Sequence, residues 1–140
     1  MKARIQLVEG MTFVAQSGSG HAVVLDASPD VGGSDLGARP MELVLMGTGG
    51  CSAIDVVHIL RKSRQAVQGC TVELDGERAT EDPKVFTRIH MRFVVTGKGL
   101  NPAQVERAVK LSKDKYCSAS IMLAKTAEIQ RANQELALAN

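Results

Sequence analysis

Three thiols, Cys51, Cys70 and Cys117, are the side chains of this 140-residue chain best suited to covalent chemistry. The count is odd, and the chain has no CxxC pair and no close Cys/His pair. Such a pattern fits neither a secreted disulfide framework, nor a structural zinc site, nor a thioredoxin-type motif, so no metal and no cofactor is expected. A cysteine reacts as the thiolate, and its setting therefore decides what it can do. Cys117 falls at or just before a helix start, where backbone N–H groups and the nearby Lys113 and Lys115 would lower its pKa. Cys51 falls in the middle of a long helix, where burial alone would raise it and a cation or hydrogen-bond donor would have to come from tertiary structure. Cys70 alternates with Val72 and Leu74 on an apolar strand face, the setting of a small hydrophobe. His58, seven residues after Cys51, could act as a base or be a satisfied core or interface residue. Asp55, one turn after Cys51, must be paired or face water. Inert core thiols and redox thiols both remain open readings.

The element that must position Cys51 runs from Arg39 to Ser63. It is apolar on nearly every side, so it should be covered on most sides, by sheet or by a second subunit. Gly47, Gly49 and Gly50 cluster just before the cysteine and suggest close approach of another backbone. Pro40 suits the first helical turn, Glu42 complements the helix dipole there, and Arg61 and Lys62 complement it at the other end. Ahead of this helix, residues 2–8, 11–15 and 21–26 read as three strands of a hairpin meander, and 27–38 as a Gly/Ser/Asp loop. Behind it, Cys70 to Asp75 and Val85 to Val95 alternate as a hairpin. In the second of these, Val85, Thr87, Ile89, Met91, Phe93 and Val95 share a face. Asn101-Pro102, with Gln104 able to close a capping box, starts an amphipathic helix reaching about Lys115. A short helix, Ala119 to Lys125, follows Cys117. The tail from Thr126 to Asn140 fits either a strand or a continuing helix.

The length favours one domain, residues 1–140. With only four aromatic residues, the core must rest on aliphatic side chains, and oligomerisation is a natural supplement. Seventeen basic and 15 acidic residues are spread along the chain with no basic arm, which argues against nucleic acid as a partner. No uninterrupted apolar run approaches the roughly 20 residues of a membrane span, and the N-terminus lacks a signal-type apolar segment. The expectation is a cytoplasmic protein with no membrane partner.

The segments Pro40-Met41-Glu42-Leu43, Gly49-Gly50-Cys51-Ser52-Ala53-Ile54-Asp55, Phe86 to Gly97, and Lys115-Tyr116-Cys117-Ser118 carry a resemblance to the OsmC/Ohr family, nearest its YhfA-like branch. The two-cysteine pattern with a Pro eleven positions before the first Cys is its specific part, and the likeness covers residues 1–130. It implies an α+β, OsmC-like fold, with antiparallel sheets packed around a long central helix in an intertwined homodimer. It also implies a thiol-dependent peroxidase with its site at the dimer interface: Cys51 attacks an organic hydroperoxide and Cys117 resolves the sulfenic acid to a disulfide. An external dithiol or lipoyl-protein is then the reductant. The alternative is a catalytically weak redox sensor or small-molecule-binding protein on the same fold. Two positions depart from the pattern. Met41 stands where the family has an acid after the Pro, with Glu42 following, and the meander segment Thr12 to His21 has no Arg, leaving Arg39 as the nearest in sequence. Glu42 and Arg39 are accordingly the candidates to activate Cys51.

Overall fold

In the computed structural model, which describes residues 1–131 and 135–138, the chain divides into a unit of residues 1–44 and a second beginning at Leu45. The first unit holds the expected meander. Its strands β1 (Ala3–Glu9), β2 (Thr12–Ser17) and β3 (Ala22–Leu25) pair antiparallel in that order. The β1–β2 turn passes through Gly10 at φ 55, a left-handed conformation that glycine adopts without steric cost. The alternation in β1 does not mark a buried face, for the whole strand is exposed, Ile5 and Leu7 included. After β3 comes the loop, interrupted only by a 3-10 turn at Pro29–Val31.

The long helix is α1 (Pro40–Lys62). Its buried residues, Thr48, Gly49, Ser52, Val56 and Leu60, recur at three- and four-residue spacing and make one stripe. Coverage on most sides is not met among the described residues: Ile54 is 72% exposed and Met46 58%. The glycine cluster also divides. A Cβ on Gly49 would lie 2.5 Å from Leu74 Cδ1, so the close neighbour is a side chain rather than a backbone, whereas Gly47 and Gly50 face open space. By length and composition α1 is apolar enough to cross a membrane, contrary to the reading of its interrupted apolar run. Its buried stripe, from Thr48 to Leu60, packs within the second unit.

That stripe meets a hairpin of β4 (Ala66–Arg78) and β5 (Phe86–Lys98), paired antiparallel. Ile89, Met91, Phe93 and Val95 are buried as the period of two requires. Val85 and Thr87 are exposed and Phe86 is buried in their place. The register shift between Glu77 and Arg78 explains the change of phase, because the extra residue of a bulge turns the strand over. On the other face Arg88 pairs with Glu77 at 3.1 Å, and Arg92 with Glu73, directly across the ladder.

α2 (Pro102–Leu111) starts as expected, with the Asn101 side chain accepting from the Ala103 N–H at 2.9 Å. The box is not closed by Gln104, however. Gln65 Oε1 accepts the Asn101 N–H at 2.9 Å and so ties the helix start to the end of the hairpin. A π-helical turn (Ser112–Tyr116) leads through Cys117 into α3 (Ser118–Leu123). The tail resolves as strands β6 (Glu128–Arg131) and β7 (Glu135–Leu138), both parallel to β5 at its second edge. Residues 132–134 and 139–140 lie outside the described residues. Val56 and Leu60 of α1 join the β5 row, Val105 and Val109 of α2, and Ile129 of β6 in one aliphatic core.

Candidate active site

Cys51 and Cys117 come together. Their sulfurs and a carboxylate oxygen of Asp55 all lie within 4.8 Å of one another. α1 supplies Cys51 and Asp55 from positions four apart, which share a helix face. Cys117 arrives from the opposite direction because it is the N-cap of α3: its φ of −71 and ψ of 96 are extended, and its sulfur takes the place of a capping oxygen. Sγ of Cys117 accepts from the Ser120 N–H at 3.4 Å and from Ser52 Oγ at 3.2 Å. The Ser120 hydroxyl donates to the Cys117 carbonyl oxygen at 3.2 Å, closing the cap from the other side. Asp55 Oδ2 accepts from Ser112 Oγ at 3.2 Å, on the π-helical turn just ahead of Cys117. Cys117 is fully buried, while Cys51 and Asp55 are half-buried.

The two thiols differ in which state the surroundings favour. Burial pushes the Cys51 thiol up. An Ala119 backbone N–H opposes this, but the hydrogen bond to the Cys117 sulfur and the charge on Asp55 add to the rise. At Cys117 burial is again the largest influence and also raises the value. Here it is outweighed by hydrogen bonding from Ser120, Ser52 and Cys51 together, and the thiol ends below its ordinary value. The sign follows from a shared proton: Cys51 keeps it and donates to the Cys117 sulfur, so the first negative charge settles on Cys117. The lowering expected at Cys117 is therefore present, but its leading causes are serines and a thiol, not Lys113 and Lys115. Lys115 lies over the Tyr116 ring, 5.3 Å from its centroid.

Arg39 and Glu42 are bonded to each other, in the first unit. Glu42 Oε2 accepts the Arg39 backbone N–H at 2.8 Å, and Oε1 accepts from the guanidinium Nη1 at 3.2 Å. This is the returning half of a capping box at the start of α1, and the bond to the Arg39 N–H holds the Glu42 carboxyl below its ordinary value. Arg39 also pairs with Asp35 at 3.5 Å. Cys70 is half-buried rather than core. With Ile54, His58 and Arg61 it lines an open groove of about 470 Å³, and burial raises its thiol.

The serines are the site residues that sequence reasoning passed over. Ser120 stands three residues after Cys117, the cap-to-N3 spacing, and that signal could have found it. Ser52 and Ser112 carried no signal beyond a polar residue on an apolar face.

Residues 32–131 match the family model described as OsmC-like protein. The chain belongs to the OsmC-like family. It is 48% identical over 137 residues to protein YhfA of Escherichia coli K12, covering 98% of this chain and 99% of that one. A hypothetical protein of Aquifex aeolicus VF5 superposes with a TM-score of 0.86 at 30% identity, over 99% of this chain and 97% of the other. The organic hydroperoxide resistance protein OsmC of Legionella pneumophila superposes with a TM-score of 0.68 at 14% identity, over 99% and 96%, and shares the fold. These likenesses bear out the OsmC-like α+β fold and place the chain beside the YhfA relatives.

Proposed function

We propose that this OsmC-like protein is a thiol-dependent peroxidase that reduces organic hydroperoxides through Cys51 and Cys117 and works as a soluble, cytoplasmic homodimer. The observation that carries the reading is the convergence of the two sulfurs, 4.8 Å apart or less, between a half-buried residue that substrate can approach and a fully buried one. The thiolate of Cys51 attacks the O–O bond, the alcohol leaves, and Cys51 becomes a sulfenic acid. The Cys117 sulfur then displaces water to give the disulfide. The donors around Cys117 suit this second step, since they favour the attacking anion at the resolving sulfur. An external dithiol, such as a lipoyl-protein, reduces the disulfide by exchange. The raised Cys51 thiol makes the first step the slow one.

Mass spectrometry of peroxide-treated protein, beside hydroperoxide consumption in the presence of dithiol, tests this reading. The Cys51–Cys117 disulfide should form first, Cys51→Ser should abolish turnover, and Cys70→Ser should leave it intact. Equal turnover by Cys51→Ser overturns the proposal. The raised thiol of Cys51 also supports a second reading, a redox sensor with little turnover. One stoichiometric round of disulfide formation with no sustained consumption of peroxide would select it.

A further inference from the structure

The peroxidase reading uses two of the three groups that meet at the site and gives Asp55 no part. The three together make a donor set: two sulfurs and a carboxylate oxygen, mutually within 4.8 Å. We propose that in its reduced form this cluster binds a thiophilic divalent cation, Zn2+ by its donor chemistry, through Cys51, Cys117 and Asp55, with a fourth position left for water or an outside ligand.

The distances suit it. Zn–S bonds of about 2.3 Å in a tetrahedral shell place two sulfurs about 3.8 Å apart, and Zn–O bonds of about 2.0–2.2 Å place the oxygen at a similar separation. The mutual separations of 4.8 Å or less are on that scale. Two soft sulfurs among three ligands favour zinc over magnesium or calcium, which take oxygen shells. Charge favours it as well: binding releases the thiol protons to solvent, and the cation then offsets two thiolates and a carboxylate.

The surroundings are those of oriented ligands. Ser112 Oγ fixes one carboxylate oxygen of Asp55, while Ser52 Oγ and the Ser120 N–H aim at the Cys117 sulfur. Metal sites hold their first ligands by partners of this kind. The scaffold is equally fixed, since Cys51 and Asp55 sit on consecutive turns of α1 beside its buried stripe and Cys117 is the cap of α3. Cation and disulfide compete for the same two sulfurs, so a bound cation holds the pair reduced and a formed disulfide excludes the cation.

The test does not depend on peroxidase activity. The full-length reduced protein is titrated with Co2+ under anaerobic conditions and back-titrated with Zn2+ against a chromophoric chelator. One equivalent should bind, with a sulfur-to-cobalt charge-transfer band and the visible spectrum of a tetrahedral site. Cys51→Ser, Cys117→Ser and Asp55→Asn should each weaken Zn2+ binding at least about tenfold, and Cys70→Ser should not. Wild-type protein oxidised with diamide to the Cys51–Cys117 disulfide should bind no more than background, a control that requires no variant to fold. Equal binding by oxidised and reduced protein, an unchanged Asp55→Asn, or a loss in Cys70→Ser matching that in Cys51→Ser would overturn the site.

Discussion

Asp26 in the first unit and Cys117 in the second are both acids shut away from water, at 2% and 0% exposure, and both are surrounded by hydrogen-bond donors. Asp26 accepts from Thr12 Oγ1 at 3.0 Å and from the backbone N–H groups of Ala27, Ser34 and Leu36 at 2.8, 3.3 and 3.1 Å. Burial raises its pKa, but the four donors outweigh burial and leave the carboxyl below its ordinary value. Cys117 shows the same balance of burial against donors. What differs is the source of the donors. Those of Asp26 come from β2 and from the loop the carboxylate itself gathers, so the anion is a fastener. Those of Cys117 come from two helices and from a second thiol that shares its proton, so the anion is also a reactant. Donors that outweigh burial favour the anion in either place; a neighbour able to give or take a proton makes it chemical.

Substitutions at four positions bear on that contrast. The largest effect falls on Cys117→Ala, which should end formation of the intramolecular disulfide altogether, as read by mass spectrometry after peroxide; a Cys51–Cys70 disulfide forming at the wild-type rate would break the contrast. Next, Asp26→Ala leaves buried donors unpaired and should cost about 1–3 kcal/mol in urea denaturation. The acid limb should report the same group. A carboxyl depressed in the folded state contributes stability that is present above its unfolded value near 3.9 and lost as pH falls through the folded value. Asp26→Asn should flatten that limb, and an unchanged limb would mean that Asp26 is not the group titrating. Third, Ser52→Ala removes one donor from Cys117. It should slow the conversion of the Cys51 sulfenic acid to the disulfide about tenfold at pH 7, followed by trapping the sulfenic acid with dimedone, and move the pH profile of that step upward, as expected for a hydrogen bond to a charged group. Smallest is Thr12→Val, the matched loss of one hydroxyl at Asp26. It should cost about 1 kcal/mol of stability by thermal denaturation and leave thiol chemistry unaltered.

These two sites were unequally legible in the sequence. Cys117 announced itself because Tyr116-Cys117-Ser118 interrupts a helical pattern, and a break before a new helix puts a residue at a cap. Asp26 read only as the end of a strand, since its donors are backbone groups of a Gly-rich loop whose path no periodicity encodes. The meeting of Cys51 with Cys117 came from family resemblance alone, for α1 and α3 are distant in sequence and only tertiary packing joins them. Elements with a clear period, β5 and α2 above all, were readable in type. Their details were set by long-range contacts, the bulge that turns Phe86 inward and the Gln65 side chain that takes the Asn101 N–H. The single covered stripe of α1 was hidden because an all-round apolar helix does not say which side its own chain will cover.

The cap of α3 is a sulfur, and that makes the order of a helix depend on oxidation state. Six residues are too few for a helix to persist on its own strength, and a lost cap costs about 1 kcal/mol. Once the Cys117 sulfur is bonded to Cys51, it accepts the Ser120 N–H less well than an anion does. Amide exchange at Ser120 and along Ser118–Leu123 should therefore quicken in the oxidised protein, so that a two-electron event between thiols is written into the backbone as a change in local protection.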